Sequence, residues 1–258
     1  MLKSTINQPF NEVKLPVNNI QAIQTTRYSP VSKKKSYPSN NVQAFDDFNL
    51  GLHVGDDENQ VIHHRQLLHT FLPTETNIQW LDQVHGNNVV VIEQMSLSPI
   101  KADAVITREP KLALAIMTAD CLPILLSNSD GSEIAAIHAG WRSLAGNIIE
   151  NTVSKMLSDN GSIHAWLGPC ISQKHFEVGT EVKDIFEQLN VKFCLAFQVN
   201  ENDKWLADLQ HIALMMLKGL GIASIEVDAG CTFSQKRQYY SYRRENITGR
   251  MASLICIK

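Results

Sequence analysis

The chain of 258 residues is long enough for one large domain or two small ones. Its composition, with 44% hydrophobic and 19% charged residues, is ordinary for a folded soluble protein. The net charge of −3 and the isoelectric point near 6.3 provide no global field that attracts nucleic acid. We therefore expect no nucleic-acid partner.

The cysteines and the first residues bear on the compartment. The five cysteines are scattered and include no CxxC pair, which is typical of free thiols in a reducing cytoplasm. The start, MLKSTINQPF, does not have the charged beginning and apolar core of a signal peptide. No window approaches about 18 apolar residues, so no membrane span is predicted. We expect a cytoplasmic protein with no membrane partner.

The N-terminal segment 1–43 carries little pattern. Residues 1–26 are weakly patterned, and residues 27–43, rich in Ser, Lys, Pro and Asn, predict a long mobile loop. After this loop the sequence contains no linker and no internal repeat. We therefore expect a single domain over residues 1–258.

Further along the chain, the hydrophobic pattern predicts strands and helices that alternate without the regular βαβ repeat of a parallel sheet. A helix follows Asp56 and Asp57, and the turn signal at 128–131 predicts a hairpin between the strands on either side. The fold expected is an α/β sandwich with a mixed sheet. No GxGxxG or GxxxxGK[ST] motif is present, which excludes a dinucleotide site or a P-loop of the usual kind. The predicted strands are 78–84, 88–93, 112–118, 122–126, 133–138, 163–167, 224–227 and 251–257, and the predicted helices are 58–72, 143–157, 178–189 and 205–220.

Two histidines and one cysteine are candidate metal ligands. They are His85 in DQVHG, Cys121 in TADCLP and His138 in AAIHAGW. Imidazole nitrogen and thiolate sulfur bind zinc well, and three protein ligands with a fourth position for water are typical of a catalytic zinc. Each residue alone also has an ordinary interpretation, as a surface histidine, an inert core cysteine or a packing histidine.

Two chemistries are open for these three residues. In the first, they hold zinc, which lowers the pKa of its water to roughly 7 and polarises the substrate. In the second, Cys121 is a thiolate nucleophile and one histidine is its base. We favour the first. The neighbouring Asp120 either orients a histidine or forms a salt bridge or turn cap.

Arginines supply candidate anion-binding groups. Arg142 follows Trp141, and Arg243, Arg244 and Arg250 cluster in YSYRRENITGR. Guanidinium groups bind phosphate and carboxylate bidentately, so these residues suit inorganic phosphate, a nucleotide diphosphate or a peptide carboxylate. The alternative is that they form surface salt bridges.

Several motifs taken together resemble those of the YfiH-like family. In chain order they are DQVHG, ADAVIT, MTADCLPILL, IAAIHAGWR, AWLGPCIS, FEVG and YSYRRENITGRMA, and the resemblance runs from about Asn49 to the C-terminus. Members are called peptidoglycan editing factor, purine nucleoside phosphorylase or laccase-domain protein. The resemblance implies one α/β domain of a cysteine-hydrolase-like kind.

The resemblance also implies residue roles. It implies that zinc is held by His85, Cys121 and His138, which also carry catalysis. It adds two residues of FNLGLHVGD to the arginines. The candidate substrate-binding residues are then Asn49, His53, Arg142, Arg243 and Arg250.

Two substrate classes follow from the resemblance, both of them small molecules. One is purine nucleosides, with phosphorolysis of adenosine, inosine or methylthioadenosine and a possible deamination. The other is a UDP-MurNAc precursor from which a wrongly attached L-serine is hydrolysed. Zinc deaminases carry HxE followed by PCxxC, and that signature is absent, because Pro169-Cys170 is not followed by the second cysteine. We expect a monomer or weak dimer.

Other functions remain as alternatives. A copper polyphenol oxidoreductase (laccase) needs many histidines, usually as HxH pairs, and this chain has nine histidines and no HxH, so zinc is expected rather than copper. A non-catalytic metal-binding regulatory protein would use a fourth protein ligand, such as His53.

The sequence departs from the family around Arg27, where RYSPVSKKKSYPSNN replaces a glycine-rich segment, and at Ser143, where glycine is usual.

Overall fold

The computed structural model describes residues 9–30, 44–45, 47–222 and 224–258. The helices are α1 (Glu58–His69), α2 (Trp141–Ala145), α3 (Ile148–Val153), α4 (Thr180–Leu189), α5 (Leu209–Gly219) and α6 (Tyr242–Glu245). The strands are β1 (Phe10–Val13), β2 (Ile20–Thr25), β3 (Asn77–Gln79), β4 (Leu81–Asp82), β5 (Val89–Ile92), β6 (Ile100–Lys101), β7 (Ala104–Thr107), β8 (Leu112–Thr118), β9 (Leu122–Asn128), β10 (Ile134–Ala139), β11 (Ile163–Leu167), β12 (Glu177–Val178), β13 (Phe197–Val199), β14 (Trp205–Ala207), β15 (Ser224–Val227) and β16 (Met251–Ile257).

Two mixed sheets form the centre of the molecule. The first has the order β1-β2-β16-β8-β3, in which only the β3–β8 pair is parallel. The second has the order β15-β11-β9-β10-β7-β5, with parallel pairs at both edges. Two smaller sheets, β12-β14-β13 and β4-β6, lie outside them.

The side chains of strand β9 show how the layers stack. Leu122, Ile124 and Leu126 belong to the core between the second sheet and helices α2 to α5, whereas Leu125 belongs to the core between the two sheets. This alternation follows from the period of two along a strand, and burial of both faces explains the continuous apolar run in the sequence. A third core packs the outer face of the first sheet against α1. The predicted α/β sandwich with mixed sheets is therefore confirmed.

The predicted hairpin is also confirmed, and it matters for the candidate site. Strands β9 and β10 pair antiparallel, with Ser127 opposite Ile134 and Pro123 opposite His138. The tight turn between them contains Gly131 at φ 71°, in the left-handed region that glycine adopts without strain. The far end of this hairpin places the residue before β9 beside the end of β10.

Several predicted boundaries are wrong for local reasons. The helix predicted over 143–157 is instead α2 and α3, because Asn147 at φ 61° breaks the helix after Gly146. The helix predicted from 205 begins at Leu209, where the Asp208 side chain accepts a hydrogen bond from the His211 N–H. The strand predicted over 78–84 is divided into β3 and β4.

The N-terminal segment is more ordered than its sequence suggested. Strand β2 lies inside the first sheet, and its buried Gln24 and Thr25 bond to the neighbouring strand, which is why no apolar alternation marks it. The predicted mobile loop does not begin at Arg27, because that side chain is 2% exposed and donates to the Lys236 carbonyl at 2.8 Å. Residues 31–43 of that predicted loop lie outside the described residues.

Within the described part of the chain, no helix has both the length and the apolar character needed to cross a membrane.

Candidate metal centre and substrate pocket

The three candidate ligands come from three chain segments that meet at one end of the second sheet. His85 lies in the turn between β4 and β5 at φ 58°, Cys121 directly precedes β9, and His138 lies near the end of β10. The pairing of Pro123 with His138 brings Cys121 to His138. Gln83 exchanges two hydrogen bonds of 2.8 Å with the Met117 backbone, which holds the His85 turn against β8.

The donor atoms of these residues converge. One nitrogen of each histidine and the Cys121 Sγ all lie within 4.8 Å of one another. The imidazole rings of His85 and His138 meet edge to face, with centroids 4.7 Å apart. A Cβ at Gly140 would lie 3.1 Å from Cys121 Sγ and 3.3 Å from His85 Cδ2, so this glycine leaves room for the group. The structure therefore brings together the three residues singled out from the sequence.

Asp103 is a further residue of this centre that the sequence reasoning missed. Its carboxylate is fully buried and accepts hydrogen bonds from His138 Nδ1 at 2.8 Å and from the backbone N–H groups of His85 and Gly86 at 2.9 and 2.7 Å. The available signal was an acidic residue at the start of the apolar ADAVIT strand, because a buried charge needs partners.

Asp120, considered as a partner for a histidine, bonds elsewhere. Its carboxylate accepts a hydrogen bond from the Thr232 hydroxyl at 2.6 Å and one from the Arg243 backbone N–H at 2.7 Å. Because Asp120 directly precedes Cys121, these hydrogen bonds tie the segment that carries Arg243 to the segment that carries Cys121.

The charges of Cys121 and His138 support each other. Burial alone would raise the pKa of the Cys121 thiol, but the charge and hydrogen bond of His138, with a hydrogen bond from His85, lower that pKa to about 6. Burial alone would lower the pKa of His138, but the Cys121 thiolate and Asp103 raise it to about 9. Without a metal, the pair is a thiolate beside an imidazolium at neutral pH.

This pairing predicts the reactivity of Cys121. In metal-free protein, alkylation of Cys121 by iodoacetamide is expected to rise with pH through a midpoint near 6, because the thiolate is the reacting form. Zinc should slow alkylation, since the sulfur lone pair is then engaged. Peptide mapping by mass spectrometry measures the rate at Cys121 apart from the other thiols. A midpoint above about 8, or no protection by zinc, would contradict this expectation.

A pocket of about 490 Å³ opens over the three candidate ligands. Arg142, Arg243, Arg250 and His53, all suggested from the sequence, lie on its wall, together with aromatic and aliphatic side chains suited to a flat heterocycle. Arg244 is not among the lining residues, because its guanidinium donates to the backbone carbonyls of Thr232, Phe233 and Tyr239. The lining residues are His53, Gln83, His85, Met117, Thr118, Ala119, Asp120, Cys121, His138, Trp141, Arg142, Ile171, Phe176, Leu209, Tyr242, Arg243 and Arg250.

The three arginines differ in how they are held. Arg250 Nη1 donates to the carbonyls of Thr248 and Gly249 at 2.9 and 3.1 Å, and Arg243 Nη1 donates to the Glu177 carbonyl at 3.0 Å. The guanidinium carbon Cζ of Arg142 lies over the Trp141 ring, 4.3 Å from the ring centroid. Among the ion pairs of the described residues, none neutralises these three guanidinium groups. The pocket thus carries positive charge available to an anion.

Asn49 and His53 have different positions. Asn49 is fully buried behind the wall, where its Oδ1 accepts hydrogen bonds of 2.9 Å from the backbone N–H groups of Gly51 and Arg250. It therefore holds the backbone from which Arg250 enters the pocket, rather than facing the pocket itself. His53 lies on the wall with its side chain still open to solvent, and partial burial of its imidazole, followed by the nearby charge of Arg250, lowers its pKa.

The fold and the site define a mixed α/β protein with a histidine–cysteine–histidine centre in an open, cationic pocket. Residues 21–258 match the family model described as multi-copper polyphenol oxidoreductase laccase. The chain belongs to this family, which includes the YfiH proteins.

Relatives and solved structures agree with this assignment. The chain is 40% identical over 211 residues to a protein of Escherichia coli named purine nucleoside phosphorylase YfiH, covering 82% of this chain and 86% of that protein. It is 41% identical over 253 residues to a purine nucleoside phosphorylase of Haemophilus influenzae, covering 97% and 98%. A crystal structure of a Neisseria meningitidis protein superposes with a TM-score of 0.89 at 36% identity, covering 97% of this chain and all of that one.

Proposed function

We propose that this protein is a cytoplasmic, zinc-dependent enzyme that cleaves purine nucleosides with phosphate. The observation that carries the proposal is the convergence of His85, Cys121 and His138 on the wall of a pocket that also holds three arginines, none of which forms an ion pair with another described residue. The names of the relatives point to the same reaction, and the five free thiols fit a reducing compartment.

The donor set fits zinc. Bonds of about 2.0 Å to nitrogen and 2.3 Å to sulfur place tetrahedral ligands roughly 3.5 Å apart, which is compatible with donor atoms that all lie within 4.8 Å. His138 keeps its other nitrogen bonded to Asp103, as metal-binding histidines usually do with a carboxylate. When bound, zinc supplies a Lewis acid and an open position for a water or substrate oxygen.

The chain's own groups then bind and orient the two substrates. Arg243 and Arg250 hold phosphate through charge-assisted hydrogen bonds, and the aromatic wall at Phe176 and Tyr242 takes the base. In phosphorolysis a phosphate oxygen bonds to the ribose C1′ while the bond from C1′ to the base nitrogen breaks. The electron pair of that bond goes to the base, which is protonated as it leaves.

The decisive experiment follows products. Zinc-loaded protein with adenosine and phosphate should release adenine and ribose 1-phosphate in equal amounts, and omitting phosphate should stop the reaction. Inosine and methylthioadenosine serve as further substrates, and inosine formed from adenosine would indicate deamination. Absence of turnover with all three nucleosides would contradict the proposal.

The arginines provide a test of anion binding. Arg250→Ala or Arg243→Ala should raise the KM for phosphate about 10- to 100-fold, because a hydrogen bond to a charged group contributes about 1.5–3 kcal/mol. Zinc content should not change, since neither guanidinium belongs to the donor group. Arg237→Ala removes an exposed arginine outside the pocket and is the matched control. An unchanged KM for phosphate in both pocket variants would contradict a role in anion binding and would favour the alternative that Arg243 and Arg250 form surface salt bridges.

A second candidate function is the editing hydrolase that removes L-serine from a UDP-MurNAc precursor. The contacts of Asp103 with His138 and of His138 with Cys121 favour this candidate. In such an arrangement the carboxylate orients the histidine, the histidine is the base, and the thiol is the nucleophile. Cys121 would attack the carbonyl carbon, the amine would leave with a proton, and water would hydrolyse the thioester. Assay of serine release from UDP-MurNAc-L-serine, with mass spectrometry of Cys121 for a trapped acyl adduct, tests this candidate.

The copper and regulatory alternatives have less support. In the part of the chain that the structure describes, His85, Cys121 and His138 are the one group of metal-ligand type, whereas a multi-copper centre needs many histidines. His53 lines the pocket but is outside that group, so the described residues do not assemble the four protein ligands of a structural zinc. Metal analysis should find about one zinc per chain. Stoichiometric copper with a blue absorption band would contradict zinc.

A further inference from the structure

Asp103 is unusual among the carboxylates of the described residues because both of its oxygens accept hydrogen bonds from the segments that carry His85 and His138. Oδ1 accepts hydrogen bonds from the His85 N–H at 2.9 Å and from His138 Nδ1 at 2.8 Å. Oδ2 accepts from the Gly86 N–H at 2.7 Å and, more weakly, from the Val84 N–H at 3.3 Å. The side chain is fully buried, so water does not replace these partners.

The backbone of Asp103 adds to this link. Its carbonyl accepts a hydrogen bond of 2.7 Å from the His138 N–H, and its own N–H donates to the Asn88 carbonyl at 3.1 Å. One residue therefore fixes the His85 turn, whose φ of 58° is rare for a residue other than glycine, and also the ring of His138. With Nδ1 bonded to Asp103, Nε2 is the His138 nitrogen free to act as a ligand.

We propose that Asp103 is a positioning residue that preforms the metal centre by holding the His85 turn and by fixing the N–H of His138 at Nδ1. This inference rests on the proposed zinc site and assigns a role to the ADAVIT motif. A carboxylate is required because it only accepts hydrogen bonds, and four N–H donors converge on it. In asparagine, the amide NH₂ would face two of those donors in either orientation.

The chain offers a matched control in Glu133. This carboxylate is 2% exposed, lies just before β10, and accepts hydrogen bonds from the N–H groups of Leu157 and Ser158 and from the Ser158 hydroxyl. It is not part of the donor group. Glu133→Gln therefore removes a comparable buried network without touching the centre.

The test measures zinc affinity by competition with a chromophoric chelator. Asp103→Asn should weaken zinc binding about 10- to 100-fold, as expected for loss of a carboxylate behind a ligand histidine. Glu133→Gln should lose stability but keep the wild-type zinc affinity. Zinc affinity of Asp103→Asn within about twofold of wild type, or an equal loss in Glu133→Gln, would overturn the inference.

A measurement on the unsubstituted protein keeps the inference testable if Asp103→Asn does not fold. With ¹⁵N-labelled histidine, the zinc-loaded protein should show a protonated Nδ1 on His138 with a slowly exchanging proton. An unprotonated Nδ1 would overturn the role of Asp103 while leaving the zinc site intact. A wild-type protein without zinc affinity would contradict the proposed function, and rapid exchange of the His138 Nδ1 proton in the metal-free protein would separately overturn the role of Asp103.

Discussion

Cys121→Ala is expected to remove the bound zinc and to lower kcat/KM for phosphorolysis about a thousandfold. A metal ion contributes several kcal/mol of charge stabilisation, and each 1.4 kcal/mol is a factor of ten in rate. His138→Ala should have the same effect, because it removes another atom of the same donor group. Metal content and initial rates of the purified variants measure both expectations.

Cys194→Ala is the control for this prediction, because Cys194 is also a half-buried free thiol but lies outside the pocket. Its zinc content and rate should match those of the wild type. A Cys121→Ala protein that keeps one zinc and its activity would rule out Cys121 as a ligand. A variant that keeps zinc and loses activity would instead favour the thiolate nucleophile.

Ile212→Ala is expected to lower the free energy of unfolding by roughly 2–4 kcal/mol, because the side chain is fully buried and its removal leaves a cavity. Ile212 lies in α5, which packs on the face of the second sheet that the helices cover. Urea unfolding followed by circular dichroism measures the change. Leu97→Ala, at a side chain 95% exposed, should change stability by less than about 0.5 kcal/mol.

The same unfolding experiment separates a catalytic zinc from a structural one. The candidate ligands lie at strand ends and turns, whereas the strands themselves are held by buried apolar side chains. Removal of zinc by a chelator should therefore leave the protein folded. Cooperative unfolding on chelation would identify a structural zinc and would contradict the enzyme proposed above.

The sequence predicted the parts of the fold that depend on apolar runs. Strand β8 was predicted with its observed bounds, because each of its seven residues is buried and the run is continuous. Strand β2 was missed, because its Gln24 is buried through a hydrogen bond to Ser253 rather than through apolar character. The break at Asn147 was missed because a left-handed residue interrupts an otherwise helical pattern.

The candidate site was predicted unevenly for a related reason. His85, Cys121 and His138 could be found because few residue types bind zinc well and the family motifs contain them. Their partner Asp103 could not be assigned, because its role depends on the pairing of β7 with β10, a contact between distant segments. Asn49 was expected to face the substrate, but its position behind Arg250 depends on a hydrogen bond across most of the chain.

The pairings of β16 with β2 and of β9 with β10 affect the order in which the site assembles during folding. Ser253 pairs with Gln24, a contact that closes a loop of almost the whole chain, whereas Cys121 and His138 meet through one short hairpin. Loop-closure entropy grows with the length of the loop, so the hairpin is expected to form before the long-range strand. Arg250 directly precedes that strand. A folding chain would therefore assemble two of the candidate metal ligands early and complete the cationic wall of its pocket late.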